Sequence, residues 1–180
     1  MAITATDIVL RLSTTAGSAG DSTAQADPNA SLGKYAATTV LGTALNGLFD
    51  DISGVENAAS TVDYRCIFVL NNHATLTMQS TAVYLSSEVA GGASIAIALD
   101  NIAASAKGSA SAQAAQIASE TTTPSGVGTF SSPTTRAAGL SIGNLTPGQV
   151  KGVWVRRTAA NTSALDADGV TFGVACDTAA

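Results

Sequence analysis

Residues 140–158 limit the fold of this chain more than any other part of the sequence. Leu140 and Ile142 alternate with small residues, the turn residues Pro147-Gly148 follow, and the next apolar run carries Trp154, the single tryptophan. Proline presets φ for the second position of a tight turn, and glycine accepts the positive φ that the third position needs. The segment therefore predicts a β-hairpin.

Short runs with alternating apolar residues recur along the chain and predict further strands. Both faces of the run at 64–70 are apolar, which indicates a strand deep in the sheet system. The large residues change parity around Gln79-Ser80, which predicts a β-bulge. We predict about seven or eight short strands in an all-β chain, folded as a single β-sandwich domain of jelly-roll or immunoglobulin-like type over residues 1–180. Besides the segment above, the predicted strands lie within 8–12, 64–70, 76–85, 95–99 and 170–176.

Two long segments lack this alternation and are interpreted as loops. Residues 14–60 form a long loop or arm region, so the chain has an extended N-terminal segment, and apolar residues at helical spacing predict a short helix near 43–51. Residues 103–135 consist mainly of small residues and are interpreted as a surface excursion. A short Ala-rich helix is one option for its first part, and a short strand is expected near Phe130.

A low content of charged side chains distinguishes this chain from most soluble proteins. Charged residues make up 12% of the chain and the formal net charge is -5, so its surface tolerates close packing against other surfaces. Binding of nucleic acid is not expected, because phosphate neutralisation needs clustered Lys and Arg. No apolar run approaches the ~20 residues that span a membrane, and no signal peptide is visible. We expect a protein made in a reducing cytoplasm, without membrane association.

No group of residues in the sequence indicates catalysis, a metal or a cofactor. His73 is the single histidine and lies in an Asn-rich turn, where we interpret it as a solvated loop residue. A catalytic triad would have to use it, and a zinc site needs several His or Cys ligands. Asp50-Asp51 with Ser53 and Glu56 offers oxygen ligands for Ca²⁺ but lacks the alternating acidic pattern, so a solvated turn is preferred. We expect no enzymatic activity, no metal and no cofactor.

The two cysteines lie far apart in the sequence. Cys66 and Cys176 both fall within apolar runs. We expect two buried free thiols, with a disulfide between two strands as the alternative.

The strand around the tryptophan carries the most distinctive polar cluster. Trp154 and Arg156 share one face of this strand, while Arg157 shares the other face with two valines. Trp and Arg are enriched at interface hot spots, but we prefer Trp154 as a core anchor. Arg156 and Arg157 stay open as subunit contacts, and Arg11 and Phe130 complete the set of candidate interface residues.

Three segments together resemble a group of small virion proteins of tailed bacteriophages. Within 48–78, a loop with the pattern acid-Gly-Glu is followed by Tyr-Arg-Cys-Ile and a hydrophobic residue, and then by Asn and His-Ala-Thr-Leu-Thr. Within 139–158, a Pro-Gly-Gln turn precedes a strand with the pattern Trp-hydrophobic-Arg-Arg. With the strand at 94–100, these segments cover about a third of the chain.

The resemblance implies a structural component of the virion, of the capsid decoration or cement type. Such a protein would be made in the host cytoplasm and would lie on the outer surface of the capsid as a homo-oligomer, commonly a homotrimer. Its partner would be the major capsid protein, whose neighbouring copies it staples together. The low charge and the long loops agree with this role, because many weak contacts on one lattice give a large avidity.

Two other functions compete with this one. A tail, baseplate or receptor-binding module that holds glycans would need exposed aromatic residues grouped on one face, and the chain has few aromatics. A hydrolase built on a β-sandwich would need a cleft with converging acids, and nothing in the sequence indicates a substrate.

Overall fold

The computed structural model describes residues 2–162, 165 and 167–178. These residues are almost entirely β: they form nine strands in two antiparallel sheets that pack as a sandwich, together with one short α-helix. The predicted all-β, sandwich-like fold is confirmed. The strands are β1 (Ile8–Thr14), β2 (Tyr35–Val40), β3 (Val62–Asn71), β4 (Met78–Glu88), β5 (Ser94–Leu99), β6 (Ser105–Ala106), β7 (Leu140–Leu145), β8 (Gln149–Thr158) and β9 (Val170–Thr178), and the helix is α1 (Gly54–Ala59).

The two sheets differ in size. The large sheet has the order β2-β1-β3-β8-β5, and β6 pairs with the first residues of β8. The small sheet has the order β7-β4-β9. The main core lies between them and includes Ile67, Val69, Val83 and Val153. Both faces of β3 are buried, as the sequence predicted. The predicted bulge is also confirmed, because the β4 register shifts between Met78 and Thr81.

A second core covers the outer face of the large sheet. The segment at 100–135 runs across this face and contributes Ala114 and Ile117, which pack against Phe68 and Trp154 of the sheet. The short Ala-rich helix suggested for its first part is absent from the described chain. Backbone groups there bind the chain just before β2 instead, as in the hydrogen bond from Gln113 N–H to Lys34 O at 2.8 Å. Near Phe130 the chain makes only an isolated bridge, between Ile97 and Ser131.

The predicted hairpin at 140–158 is wrong, although its strands and its turn exist. β7 pairs with β4 in the small sheet, whereas β8 pairs with β3 and β5 in the large sheet. The Pro147-Gly148 turn therefore links the two sheets, with Gly148 at φ +74°. The apolar faces of β7 and β8 meet the same core from opposite sides, and alternation alone does not reveal this.

The helix near 43–51 is also wrong, since the helix begins at Gly54. A capping box starts it there: Ser53 Oγ accepts from Glu56 N at 3.2 Å, and Glu56 Oε2 accepts from Ser53 N at 2.7 Å. Leu48 and Phe49 pack on the core from turns instead. β2 lies inside the segment at 14–60, which was interpreted as a loop or arm, and was not predicted as a strand.

Candidate functional site

A large concave feature lies at one end of the sandwich, and we call it the end cleft. Its volume is about 900 Å³. One wall is the loop at 41–54, and the opposite wall contains the start of β9, including Val170 and Phe172. Arg157 and Ile95 come from the large sheet. The cleft therefore forms where the loop bridges the ends of the two sheets.

Arg157 fixes the loop to the sheet. Its Nη2 donates to Asp63 Oδ2 at 2.8 Å and to Asp50 Oδ1 at 3.1 Å, and its Nη1 donates to the Asp50 backbone carbonyl. The Arg157 side chain is 7% exposed and that of Asp63 is 3% exposed. Arg157 Nε also donates to Asp63 Oδ2 at 3.3 Å, so every nitrogen of the guanidinium group has a partner within the chain and Arg157 acts here as an internal anchor.

Phe49 lies between two guanidinium groups. Its ring centroid is 4.7 Å from Cζ of Arg157 and 5.3 Å from Cζ of Arg65. Arg65 is fully buried, donates to Asn29 Oδ1 at 2.9 Å and forms an ion pair with Glu120. These cation–π contacts and ion pairs hold the base of the loop in one place.

The end of β2, the loop and the start of α1 each expose one large apolar side chain. Leu45 is 68% exposed, Val55 is 80% exposed and Val40 is 56% exposed. Singly exposed apolar residues are ordinary, whereas contiguous apolar patches mark interaction sites. We call these three residues the apolar loop patch.

The four candidate interface residues do not form one surface. Arg156 and Phe130 meet on the outer face of the large sheet, with Arg156 Cζ 5.3 Å from the ring centroid, and Tyr64 packs on Phe130 at 5.5 Å. Arg157 lies on the opposite, inner face. Arg11 forms an ion pair with Asp21 at the part-buried edge near β2. Their role as subunit contacts stays a prediction.

Trp154 is a core residue, as the sequence analysis preferred. It is fully buried in the second core, and its Nε1 is held by Asp100. Asp100 was missed, because a single acid after a predicted strand has no sequence signal that separates it from a solvated turn residue.

The interpretation of His73 as a solvated residue is wrong. His73 is buried, and its Nδ1 accepts hydrogen bonds from the backbone N–H groups of Thr75 and Leu76 at 3.0 and 2.9 Å. The imidazole therefore organises the turn before β4.

The described residues contain no group of three or more His, Cys, Asp or Glu side chains arranged to hold a metal ion. In the segment considered for Ca²⁺, Asp50 binds Arg157 and Glu56 caps α1. No helix of the described chain is long and apolar enough to cross a membrane.

The two cysteines lie on different sheets and are free. Cys66 on β3 is fully buried, and Cys176 on β9 is partly buried. Burial, reinforced by the charge of Asp100, raises the pKa of the Cys66 thiol well above its ordinary value. Burial also raises the pKa of Cys176, against the opposing effect of Arg136. Neither site favours a reactive thiolate.

Comparison with known proteins gives no relative: no family model matches the chain, and no curated protein or solved structure is significantly similar to it.

Proposed function

We propose that this chain is a non-enzymatic structural protein of a tailed-phage virion, which decorates and stabilises the capsid by binding the lattice of the major capsid protein. The observation that carries the proposal is the apolar loop patch, Val40, Leu45 and Val55, which lies on and next to a loop that Arg157 binds at Asp50. The likeness of 48–78, 94–100 and 139–158 to small phage virion proteins supplies the class of partner.

The fixed base makes the patch suited to binding a partner. Apolar side chains in water gain free energy when a partner covers them, by about 25 cal/mol per Å² of apolar area. Ion pairs on the loop reduce the conformational entropy that binding has to remove. Each contact with the lattice can be weak, because a homo-oligomer such as a trimer binds several lattice sites at once.

Binding to capsids tests the proposal. Purified protein should co-sediment with expanded heads that lack it and should raise their melting temperature. Leu45→Asp and Val55→Asp should reduce the bound amount at least about tenfold, since each places a charge in the covered area. Ile102→Asp is the matched control, because Ile102 is an exposed apolar residue away from the patch, and its binding should equal that of the unmodified protein.

Failure has a clear form in this experiment. Absence of co-sedimentation by the unmodified protein would reject the capsid role. Equal binding by Leu45→Asp, Val55→Asp and the control would reject the apolar loop patch as the contact.

A glycan-binding tail or receptor-binding module is the second candidate, and one observation favours it. The end cleft is large enough for a saccharide and carries carboxylates and amides, including Asp51, Asn57 and Asp168, which suit saccharide hydroxyl groups. A melting shift in a panel of saccharides, lost in Asp51→Ala, would support this function in place of capsid binding.

A further inference from the structure

β9 is an edge strand with one open side. Its nine residues pair with β4 along one edge, from Met78↔Thr178 to Glu88↔Val170. Among the described residues, no strand pairs with the other edge. The N-terminal segment is joined to the last residue of β9, since Ile3 N donates to Thr178 Oγ1 at 3.1 Å. A row of backbone donors and acceptors is thus available for pairing.

β9 lacks the usual protection of a free edge. Natural proteins place Lys, Pro or inward-pointing charges on such strands to prevent pairing. The only charged residue of β9 is Asp177, and Arg136 of the same chain neutralises it at 2.7 Å. Val170, Phe172 and Val174 alternate along the rest of the strand. Nothing in these side chains opposes an added strand.

An apolar trench runs along this open side. A groove of about 200 Å³ lies between β9 and the start of β1, lined by Ala5, Ile8, Leu10, Phe172 and Val174. Phe172 lines both this groove and the end cleft. We call this feature the edge trench.

The edge trench exists because the layers have unequal widths. The small sheet has three strands, while the large sheet continues past β1 to β2. Ile8 and Leu10 of β1 therefore pack on the core but stay partly exposed beside β9. We propose that the edge trench binds an extended segment of another protein, which adds to β9 as a fourth, antiparallel strand of the small sheet.

The charged residues of the end cleft, which lies at the start of β9, define the chemistry of that segment. Three acidic residues, Asp50, Asp51 and Asp168, line the end cleft. Arg157 is the one cationic residue among the described residues of the lining, and it is paired with Asp50. β9 begins at this end, so an antiparallel partner places its C-terminal end there. The segment should have alternating apolar residues that face the core and a Lys or Arg at its C-terminal end.

The topology favours a single strand over a second copy of this chain. In an edge-to-edge pair of β9 strands, each small sheet would continue into the other. The large sheet of each copy extends beyond its own β9 through β2, so it would occupy the space under the partner's β9. A lone extended segment meets no such obstacle.

The inference does not rest on the capsid assignment, and a synthetic peptide tests it. The probe is the N-acetylated, C-amidated peptide TVTVTVTVK, which matches β9 in length. Titration followed by NMR of the full chain should shift amides of β9 and β1. The peptide with Glu in place of Lys should bind at least about tenfold more weakly, because it places like charges together.

A matched pair of variants locates the site. Ala5→Trp should fill the edge trench and weaken peptide binding at least about tenfold. Thr6→Trp places the same side chain one residue along, at an exposed position that does not line the edge trench, and should bind like the unmodified protein. Circular dichroism should show that both variants are folded.

Three results would overturn the inference. The first is no shift of β9 amides at millimolar peptide. The second is equal binding by Ala5→Trp and Thr6→Trp. The third is concentration-dependent self-association that Ala5→Trp abolishes, which would assign the open edge to a second copy of the chain.

Discussion

The indole Nε1 of Trp154 donates a hydrogen bond to Oδ2 of Asp100 at 2.9 Å, and both side chains are buried. The same carboxylate accepts from Ala115 N at 2.7 Å and from Ile102 N at 2.8 Å. One acidic side chain therefore joins the large sheet to two points of the segment that covers it. The second core depends on this connection, since the covering segment has almost no regular secondary structure.

Asp100→Asn should lower the free energy of unfolding by about 1–3 kcal/mol, because the amide NH2 group replaces one acceptor oxygen and then faces one or two of the three N–H donors. Urea unfolding followed by the fluorescence of Trp154 measures the change. Asp177→Asn is the matched control, since its surface ion pair with Arg136 contributes only about 0–1 kcal/mol. A loss in Asp100→Asn no larger than in the control would contradict the role of Asp100.

Arg157→Met should destabilise the fold by about 3–5 kcal/mol, because Asp63 is left buried without a countercharge. Arg156→Met, the neighbouring residue on the outer face, should cost about 0–1 kcal/mol, since it loses only a part-exposed contact with Phe130. The same urea titration compares the two. Equal losses would show that Arg157 is not an internal anchor.

The two thiols should react differently with a thiol reagent such as DTNB at about pH 8. Cys66 should stay unmodified in the folded protein, because it is buried and burial raises its pKa well above the ordinary value. Cys176 should react slowly, since it is partly exposed but its pKa is raised. Urea should expose both thiols, and Cys176→Ser should remove the reaction of the folded chain. Rapid labelling of Cys66 before unfolding would contradict the fully buried position on β3.

Acid should weaken the ion pair between Asp21 and Arg11. Burial raises the pKa of Asp21, but the hydrogen bond and charge of Arg11, together with Lys107, outweigh it, so the net pKa lies below the ordinary value of 3.8. A carboxyl group with a lowered pKa in the folded state stabilises the fold above its unfolded pKa and loses that contribution as pH falls through the folded pKa.

Asp21→Asn should therefore reduce stability at neutral pH and flatten the decline below about pH 4. Urea midpoints measured across this range give the comparison. Asp51→Asn is the control, because Asp51 is exposed and forms no ion pair among the described residues. If the stability of Asp21→Asn falls in acid as much as that of the control, the loss of stability comes from other carboxylates.

Local pattern in the sequence predicted the strands but not their partners. The residues from Tyr64 to Leu70 identified β3 and its two buried faces, because successive side chains of a strand point to opposite faces and both sets are apolar here. The same alternation in β7 and β8 did not show that they belong to different sheets. Pairing depends on side chains far away in the chain, which compete for the same core.

The elements of the candidate site were harder to predict for a different reason. β2 is built from Tyr35, two alanines, two threonines and Val40, so its strand character comes from pairing with β1 more than from a run of large apolar residues. Asp63 and Arg157 are ordinary charged residues in the sequence, and only the antiparallel pairing of β3 and β8 places them opposite each other. The apolar loop patch could not be predicted without the position of the loop, and the helix predicted at 43–51 gave that position wrongly.

The link between sheets at Pro147-Gly148 is one of a series. From β3 to β9 the chain changes sheet at every step except that from β5 to β6. No fragment that stops before Gln149 contains a finished sheet, since the large one lacks β8 and the small one lacks β9. Most consecutive strands from β3 onwards thus belong to different sheets, and neither sheet can be completed until most of the chain has been synthesised. Such non-local pairing makes folding slow, and the apolar surface and unpaired strand edges that stay exposed until β9 is in place favour aggregation.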